Sequence, residues 1–217
     1  MTTRPLAAEF VGSAILSATV IGSGIAAQNL SGGNVAVALL ANAIATGCIL
    51  VVIISLFAPL SGAHFNPAVS VAFAIRNELS WLYCVAYIAA QITGMVLGVW
   101  LAHAMFDLPV LQVSKTVRSS PGMALGELFA TFGLVLTIFG LKEKSAAQIP
   151  LAVGLYITAA YWFTSSTSFA NPAITIARTL SDTFAGIAPS SAPLFILCQL
   201  AGMFAAVALA TWLWAKR

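Results

Sequence analysis

Long apolar runs constrain this chain more than any other feature of its sequence. Six segments of roughly 20 apolar residues, about the length that a helix needs to cross the hydrocarbon of a bilayer, follow one another with short breaks. In lipid, helices and closed barrels are the structures that pair every backbone polar group internally. The runs therefore predict six transmembrane helices, near residues 6–27, 34–57, 81–106, 122–141, 147–165 and 192–214.

Charge and cysteine content argue against several other classes of protein. Charged residues make up 7% of the chain, against about 25% in typical soluble domains, and the mean hydropathy is +1.00. The Lys and Arg residues are scattered singly and form no basic patch, so we expect no nucleic-acid partner. The three cysteines match neither a zinc nor a redox spacing. We find no nucleophile and base at a recognisable spacing, so we expect no enzyme activity, no metal and no cofactor.

The distribution of basic residues between the predicted loops indicates the orientation. Cytoplasmic loops of membrane proteins carry an excess of Lys and Arg. With the N-terminus inside, the basic residues on the cytoplasmic side are Arg4, Arg76, Lys142, Lys144, Lys216 and Arg217. Those on the external side are Lys115, Arg118 and Arg178. The larger cytoplasmic group favours a multi-pass protein with both termini in the cytoplasm.

Two apolar segments, residues 67–76 and 172–181, are too short to cross the membrane. Each begins at the proline of an Asn-Pro-Ala tripeptide, in FNPAVS at residues 65–70 and in ANPAIT at residues 170–175. Proline suits the first turn of a helix because its missing N–H would have no partner there. Each segment is therefore predicted to be a re-entrant half-helix. The residues of the tripeptides are Asn66, Pro67, Ala68, Asn171, Pro172 and Ala173.

The two halves of the chain resemble each other. AAEFVGSAIL at residues 7–16 is similar to LGELFATFGL at residues 125–134, and AQITGM at residues 90–95 is similar to CQLAGM at residues 198–203. Because each half has an odd number of spans, the second half must be inverted relative to the first. We expect a single transmembrane channel domain, residues 1–217, with repeat halves at about 1–110 and 120–217. The half-helices would enter from opposite faces and meet near the midplane.

The backbone before each half-helix is predicted to line a pore. Non-helical backbone at membrane depth is tolerated where it lines a water-filled cavity or is buried in protein. The candidate pore-lining carbonyls belong to Gly62, Ala63, His64, Ser168, Phe169 and Ala170. Asn66 and Asn171 would cap the half-helices and turn amide N–H groups toward a solute. Since the positive ends of both half-helix dipoles face the centre, cations are repelled, and we predict a pore for water and small neutral solutes.

Together, the two Asn-Pro-Ala boxes, SGAHFNPAVS at residues 61–70, AEF at residues 8–10 and the Gly-Met repeats resemble the aquaporin and glycerol-facilitator family over nearly the whole chain. The resemblance implies an all-α membrane protein: an hourglass of six transmembrane helices plus two re-entrant half-helices, arranged as an inverted repeat. It also implies a homotetramer in contact with membrane lipid, in a bacterial inner membrane. Glu9 and Glu127 would accept hydrogen bonds from the re-entrant loops as scaffold acids, and proton coupling is the alternative.

Specificity in this family depends on an outer constriction that usually contains an aromatic side chain and an Arg directly after the second tripeptide. Counting by the family's spacing from Asn66 and Asn171 places four residues there, namely Thr46, Ala159, Ser168 and Ile174. None is aromatic or charged, so we expect a wide constriction that admits neutral molecules larger than water. Arg178 lies one helical turn beyond Ile174 and is a candidate for the external vestibule. Pairing with Asp182 or contact with lipid headgroups is the alternative.

An aliphatic residue in place of that Arg also resembles bacterial channels encoded with arsenic-resistance genes, which pass neutral As(OH)3 or methylated arsenicals. The segment TLSDTFAGIAP, residues 179–189, which replaces the family's usual short ending, adds to this resemblance. Arsenite is a neutral triol like glycerol, so both solutes are expected, and urea, ammonia and water fit the same description. The alternatives are a water-selective channel, a structural membrane protein of the same fold and a proton-coupled transporter.

Overall fold

The computed structural model describes residues 2–214, so that Lys216 and Arg217 of the predicted cytoplasmic group lie outside the described residues. Within that range the chain forms eight α-helices and a 3-10 turn at Ala146–Gln148. The helices are α1 Thr3–Leu30, α2 Val35–Ser61, α3 Pro67–Ile75, α4 Trp81–Met105, α5 Pro121–Lys142, α6 Ile149–Phe163, α7 Pro172–Arg178 and α8 Ala192–Leu213.

Six of the described helices are long and apolar enough to cross a membrane, counting α6 together with the 3-10 turn before it. The other two, α3 and α7, have nine and seven residues and are the short helices that start at the tripeptides. An even number of spans places both ends of the described chain at one face, which we call the N-terminal face. The observed helices confirm the predicted all-α class with six spans and two half-helices.

Helix ends differ from the sequence prediction by up to four residues, and α2 and α7 show the physical reason. α2 continues through Pro59 to Ser61 and stops at Gly62, whose φ of 85° is the left-handed conformation that commonly ends helices. α7 stops at Arg178 rather than at residue 181. The chain turns there because the Arg178 carbonyl accepts a hydrogen bond of 3.3 Å from the N–H of Ile187, which folds the following segment back over the half-helix.

Close helix pairs repeat in the two halves. α1 packs against α4, and α5 packs against α8, at glycines that let the backbones approach. A Cβ on Gly94 would lie 2.2 Å from the carbonyl oxygen of Phe10, and a Cβ on Gly202 would lie 2.1 Å from that of Leu128. Both glycines belong to the Gly-Met motifs that the sequence repeats. These contacts fix the spacing of the spans that hold the two half-helices.

An ion-pair network at the N-terminal face joins the end of α3 to the end of α5. Arg76 contacts Glu78 at 3.3 Å and Glu143 at 3.8 Å, and Lys142 contacts Glu78 at 2.9 Å. The Arg76 guanidinium also lies 4.6 Å from the centroid of the Phe139 ring. These contacts show that the end of the first half-helix and the loop after α5 share one face.

We expect Gly202→Ala to destabilise the protein by about 1–3 kcal/mol, because the added methyl group forces α8 away from the α5 backbone. The matched control is Gly122→Ala. There a Cβ would meet nothing closer than the Ser165 hydroxyl at 3.5 Å, and alanine favours helix. The midpoint of thermal unfolding in detergent measures both variants. Equal midpoints for Gly202→Ala and the wild type would show that this contact does not limit helix spacing.

Candidate functional site

Asn66 and Asn171 lie opposite each other where the two half-helices meet. The Oδ1 atom of each accepts a hydrogen bond of 2.9 Å from the backbone N–H two residues further on and so caps its own half-helix. The Nδ2 atom of Asn66 donates to the carbonyl of Ala170 at 2.8 Å, and that of Asn171 donates to the carbonyl of Phe65 at 2.8 Å. Because an amide group carries two N–H donors, each asparagine ties the loops together and retains one donor for a solute.

The carboxylate of Glu9 organises the first re-entrant loop. It accepts the backbone N–H of His64 at 2.9 Å and that of Phe65 at 2.7 Å. The Nε2 atom of Gln91 donates to the same carboxylate at 2.8 Å and to the Ser70 hydroxyl at 2.9 Å. Glu9 is fully buried, so these bonds supply the partners that the loop amides would otherwise lack.

Glu127 forms the same arrangement in the second half. It accepts the backbone N–H of Phe169 at 2.8 Å and that of Ala170 at 2.9 Å. The Nε2 atom of Gln199 donates to Glu127 and, at 2.9 Å, to the Thr175 hydroxyl. Both carboxylates are therefore fully engaged by the loops and by a glutamine, as a scaffold requires.

The sequence prediction missed the glutamines and hydroxyls of these two clusters. Their signal was present: Gln91 and Gln199 open the repeated Gln-x-x-Gly-Met motifs, and Ser70 and Thr175 stand at the same place after each tripeptide. The motif therefore has two functions in each half. Its glutamine orients the scaffold carboxylate, and its glycine admits the neighbouring helix.

Both re-entrant loops hold non-glycine residues at positive φ. Ala63 and Phe65 have φ of 53° and 48°, and their counterparts Ser168 and Ala170 have φ of 50° and 49°. Such conformations cost about 1–3 kcal/mol each and persist where surrounding contacts impose them. Here the bonds to Glu9 and Glu127 impose them, so the carboxylates set the path of the backbone beside the pore.

A cavity with about 880 Å³ of empty volume runs past the two asparagines. One part of its wall is polar, since Asn66, Asn171 and every loop residue predicted to offer a carbonyl line it. The apolar part is contributed by the spans, and includes Leu16, Val20, Leu50, Ile54, Val153 and Ile157. A wall that is polar on one side and apolar on the other suits a small solute that carries both polar and apolar groups.

Three of the four predicted constriction residues line the cavity, and the fourth does not. Thr46, Ser168 and Ile174 are lining residues, whereas Ala159 is exposed on the outside of α6. Tyr161, two residues further along α6, lines the cavity instead, and its hydroxyl lies 3.2 Å from the Thr46 Oγ1 atom. The family's spacing from Asn171 selected a residue on the wrong side of α6. Residues two positions apart on a helix point about 200° apart, so an error of two positions exchanges the cavity side for the outer side. The cavity wall therefore includes an aromatic residue of α6 that counting did not select.

Arg178 also lines the cavity. Its side chain is 2% exposed, and its guanidinium carbon lies 3.3 Å from the centroid of the Phe169 ring. Its Nε atom donates to the carbonyl of Ala185. Asp182 instead accepts the Lys115 backbone N–H at 2.9 Å and lies 3.9 Å from the Lys115 ammonium. The alternative in which Arg178 pairs with Asp182 is therefore wrong for this structure.

A second guanidinium approaches the same aromatic ring. The Arg118 carbon lies 5.4 Å from the Phe169 centroid, and its Nε atom donates to the carbonyl of Gly186 at 2.9 Å. Burial lowers the pKa of Arg118 below its ordinary value, because partial removal from water disfavours the charged form. Arg118 and Arg178 together form part of a second pocket on the face opposite the N-terminal face.

Metal-binding side chains do not cluster within residues 2–214, where no group of three or more His, Cys, Asp or Glu residues could hold an ion. The cysteines are free: Cys48 is exposed, Cys84 is buried and Cys198 is intermediate. The chemistry of the cavity therefore rests on carbonyls, amides, hydroxyls and guanidinium groups.

We expect Asn171→Asp to let cations cross the centre of the pore. The change removes both amide donors, sets a carboxylate against the Phe65 carbonyl and replaces a cation-repelling group with an attractive one. Sodium flux into proteoliposomes measures the effect. Asn34→Asp is the control, because Asn34 is an exposed cap of α2 and aspartate caps equally well. Sodium flux as low as in the wild type would contradict a central role for the Asn171 amide.

Comparison with known proteins agrees with this geometry. A sequence model of the family described as "Major intrinsic protein" matches residues 1–168. The chain is 51% identical over 211 residues to aquaglyceroporin AqpS of Rhizobium meliloti (strain 1021), which covers 97% of this chain and 90% of that protein. It is 33% identical over 152 residues to probable aquaporin NIP5-1 of Arabidopsis thaliana, covering 70% of this chain and 48% of that protein.

Among solved structures, the aquaglyceroporin from Plasmodium falciparum matches 97% of this chain and 94% of its own, with a TM-score of 0.72 at 20% sequence identity. That likeness confirms the predicted hourglass fold. The family match and the relative from Rhizobium confirm a channel for water and small solutes rather than an enzyme. This chain therefore belongs to the major intrinsic protein family.

Proposed function

We propose that this protein is a passive channel that conducts small neutral solutes such as glycerol in addition to water. The observation that carries the proposal is the two-sided cavity, in which carbonyls and asparagine amides face apolar side chains of the spans. A polyol that enters exchanges its water for these polar groups while its carbon skeleton contacts the apolar wall. The similarity to a protein named an aquaglyceroporin supports the same solute class.

The constriction is proposed to consist of Thr46, Tyr161, Ser168 and Ile174, with Arg178 beyond it. Ile174 follows the second tripeptide directly and is buried, so it gives the narrow region an uncharged, aliphatic side. The Ser168 hydroxyl is buried and has no hydrogen-bond partner within residues 2–214, so it is available to a solute. The arrangement favours a neutral molecule with several hydroxyl groups over a bare hydrated ion.

Cation exclusion in this proposal rests on the half-helices and on the vestibule. The N-termini of α3 and α7 carry partial positive charge where the asparagines meet. Arg178 adds a full charge one turn from Ile174, and the described residues that line the cavity include no carboxylate. A cation therefore meets positive potential at the outer mouth and again at the centre.

Arsenite is a second proposed solute. As(OH)3 is neutral and presents three hydroxyl groups, as glycerol does, so the same carbonyls and amides can replace its water. The uncharged constriction around Ile174 is the feature that favours it, because a charged side chain there would narrow the passage. Methylated arsenicals add an apolar group that the aliphatic wall can accept.

For the whole protein we propose one channel domain over residues 1–217, with halves at about 1–110 and 120–217, assembled as a homotetramer in a bacterial inner membrane. The N-terminal face would be cytoplasmic, which places Arg4, Arg76, Lys142 and Lys144 inside. Lys115, Arg118 and Arg178 then face the exterior. Apolar side chains that are exposed in a single protomer would contact lipid or neighbouring subunits.

Two alternatives make different predictions about flux. A proton-coupled transporter needs a carboxylate that titrates during transport, but Glu9 and Glu127 each hold two loop amides and a glutamine. Solute flux in that case would follow an imposed pH gradient. A purely structural membrane protein would show no permeability above that of bare lipid.

The decisive experiment is stopped-flow light scattering on proteoliposomes with water, glycerol, urea and arsenite in parallel. We expect all four to enter faster than in bare liposomes, independent of a pH gradient. Ile174→Arg should lower glycerol and arsenite flux by about tenfold or more, which corresponds to a barrier increase of roughly 1.4 kcal/mol, and lower water flux less. Ile174→Leu keeps the volume and charge and is the matched control. Equal loss of water and glycerol flux in Ile174→Arg would contradict the constriction proposed here.

Variants of Tyr161 and Ala159 test which of these two residues of α6 shapes the constriction. We expect Tyr161→Ala to raise the flux of erythritol, a polyol larger than glycerol, relative to water because it removes a ring from the cavity wall. Ala159→Val is the control, because its side chain lies on the outer face of the same helix and should leave the ratio unchanged. A change with Ala159→Val and none with Tyr161→Ala would reverse this assignment.

A further inference from the structure

Two arginines share a pocket beside the outer mouth of the pore. Arg118 comes from the loop between α4 and α5, and Arg178 is the last residue of α7. Both line this pocket, with the polar side chains of Asn42 and Thr167 and the apolar groups of neighbouring residues. Arg178 belongs to the walls of both the pocket and the pore cavity, so the two spaces are adjacent.

The segment that frames this pocket is firmly held. The N–H of Ser114 donates to the Thr179 carbonyl at 2.8 Å, and the N–H of Ala188 donates to the Thr116 carbonyl at 2.7 Å. His103, at the end of α4, lies 2.9 Å from the Ser181 hydroxyl. The loop before α5 and the segment after α7 are therefore joined into one layer, and the arginines project from both parts of it.

Neither guanidinium has a carboxylate partner within residues 2–214, where every ion pair involves other residues. Arg118 donates through Nε to Gly186, and Arg178 donates through Nε to Ala185, so backbone carbonyls are their closest acceptors. Arginine has five N–H donors, which leaves several on each side chain without a strong acceptor. Two like charges held together, with no carboxylate close enough to form an ion pair, favour the binding of an anion between them.

We propose that this pocket binds a phosphate oxyanion, either the free ion or the phosphate of a lipid headgroup. Planar guanidinium groups recognise the oxygens of such groups by paired charge-assisted hydrogen bonds. The Thr167 hydroxyl provides an additional polar group at the same place.

Because the pocket lies beside the pore, a bound oxyanion would inhibit solute flux. This step rests on the proposed channel function. The anion would engage Arg178, whose side chain also forms the wall of the pore cavity. It would obstruct the outer mouth and cancel part of the positive potential there. Oxyanions are therefore expected to inhibit the flux of neutral solutes in a saturable way, without themselves crossing the centre.

Binding is tested first and separately from transport. Purified protein in a neutral detergent is titrated with inorganic phosphate by isothermal calorimetry, with chloride at equal ionic strength as the reference. We expect saturable binding to the wild type and a dissociation constant about tenfold or more higher for Arg118→Gln, as is typical for loss of a charge-assisted bond. Lys115→Gln is the matched control, since the Lys115 side chain is 88% exposed and does not line the pocket. It should bind phosphate as the wild type does.

Arg118→Gln also removes the hydrogen bond to the Gly186 carbonyl and so risks misfolding. Arg118→Lys is therefore a second, milder variant. It keeps the charge but loses the planar pair of donors, so phosphate should bind about threefold or more weaker than to the wild type, and tighter than to Arg118→Gln. If Arg118→Gln fails to fold, the lysine variant alone decides between the outcomes. Wild-type affinity in Arg118→Lys and Lys115→Gln together, or no saturable binding to the wild type, would overturn the proposal.

Transport is measured in proteoliposomes with phosphate on both sides, each variant compared with its own flux without phosphate. We expect glycerol flux to fall with phosphate in the wild type and in Lys115→Gln, and to resist phosphate in Arg118→Gln.

Vesicles with and without phosphatidylglycerol distinguish the source of the bound phosphate group. Inhibition by that lipid alone would assign the site to a headgroup, and inhibition by phosphate in phosphatidylcholine would assign it to the free ion. Phosphate binding in calorimetry with no effect of either source on glycerol flux would overturn the obstruction but leave the binding site. Absence of wild-type glycerol flux would instead contradict the channel function.

Discussion

The pairing of loop amides with a buried carboxylate is the interaction on which the rest of this structure depends. Each re-entrant loop leaves helical geometry at membrane depth, where an unpaired N–H costs several kcal/mol. Glu9 accepts two such amides and Glu127 accepts two more. Without them the loops could not hold residues at positive φ, and the carbonyls beside the pore would have no fixed direction. The acids therefore act on the pore through the backbone.

The chain needs an asparagine in both tripeptides because each asparagine binds the re-entrant loop of the other half. Asn66 caps α3 and binds the Ala170 carbonyl, while Asn171 caps α7 and binds the Phe65 carbonyl. A single tripeptide could cap its helix but could not complete this exchange. The inverted repeat brings two helix N-termini to one point, and the exchange keeps them there against the repulsion of their dipoles.

The spans and the half-helices could be predicted from the sequence, because run length and the position of proline directly limit what a bilayer accepts. The role of the acids was predicted from the resemblance to the family, and their matching places in the repeat agree with it. The residue of α6 at the constriction could not be predicted, since a spacing of two positions decides whether Ala159 or Tyr161 faces the cavity. The surroundings of Arg178 depend on a segment that folds back over α7, and nothing in local pattern specifies that contact.

In the channel that we propose, positive charge and the constriction lie at different residues, so that cation exclusion and solute selection are separate. Where a positive side chain directly follows the second tripeptide, one group both narrows the passage and repels cations. Here Ile174 occupies that position, and the guanidinium of Arg178 lies at the outer mouth beside Arg118. Under the proposed function, neutral groups such as Thr46 and Tyr161 would shape the constriction, and the field that opposes cations would act before the solute reaches them. A wider passage for neutral solutes need not reduce the barrier to ions, because the two properties reside in different residues.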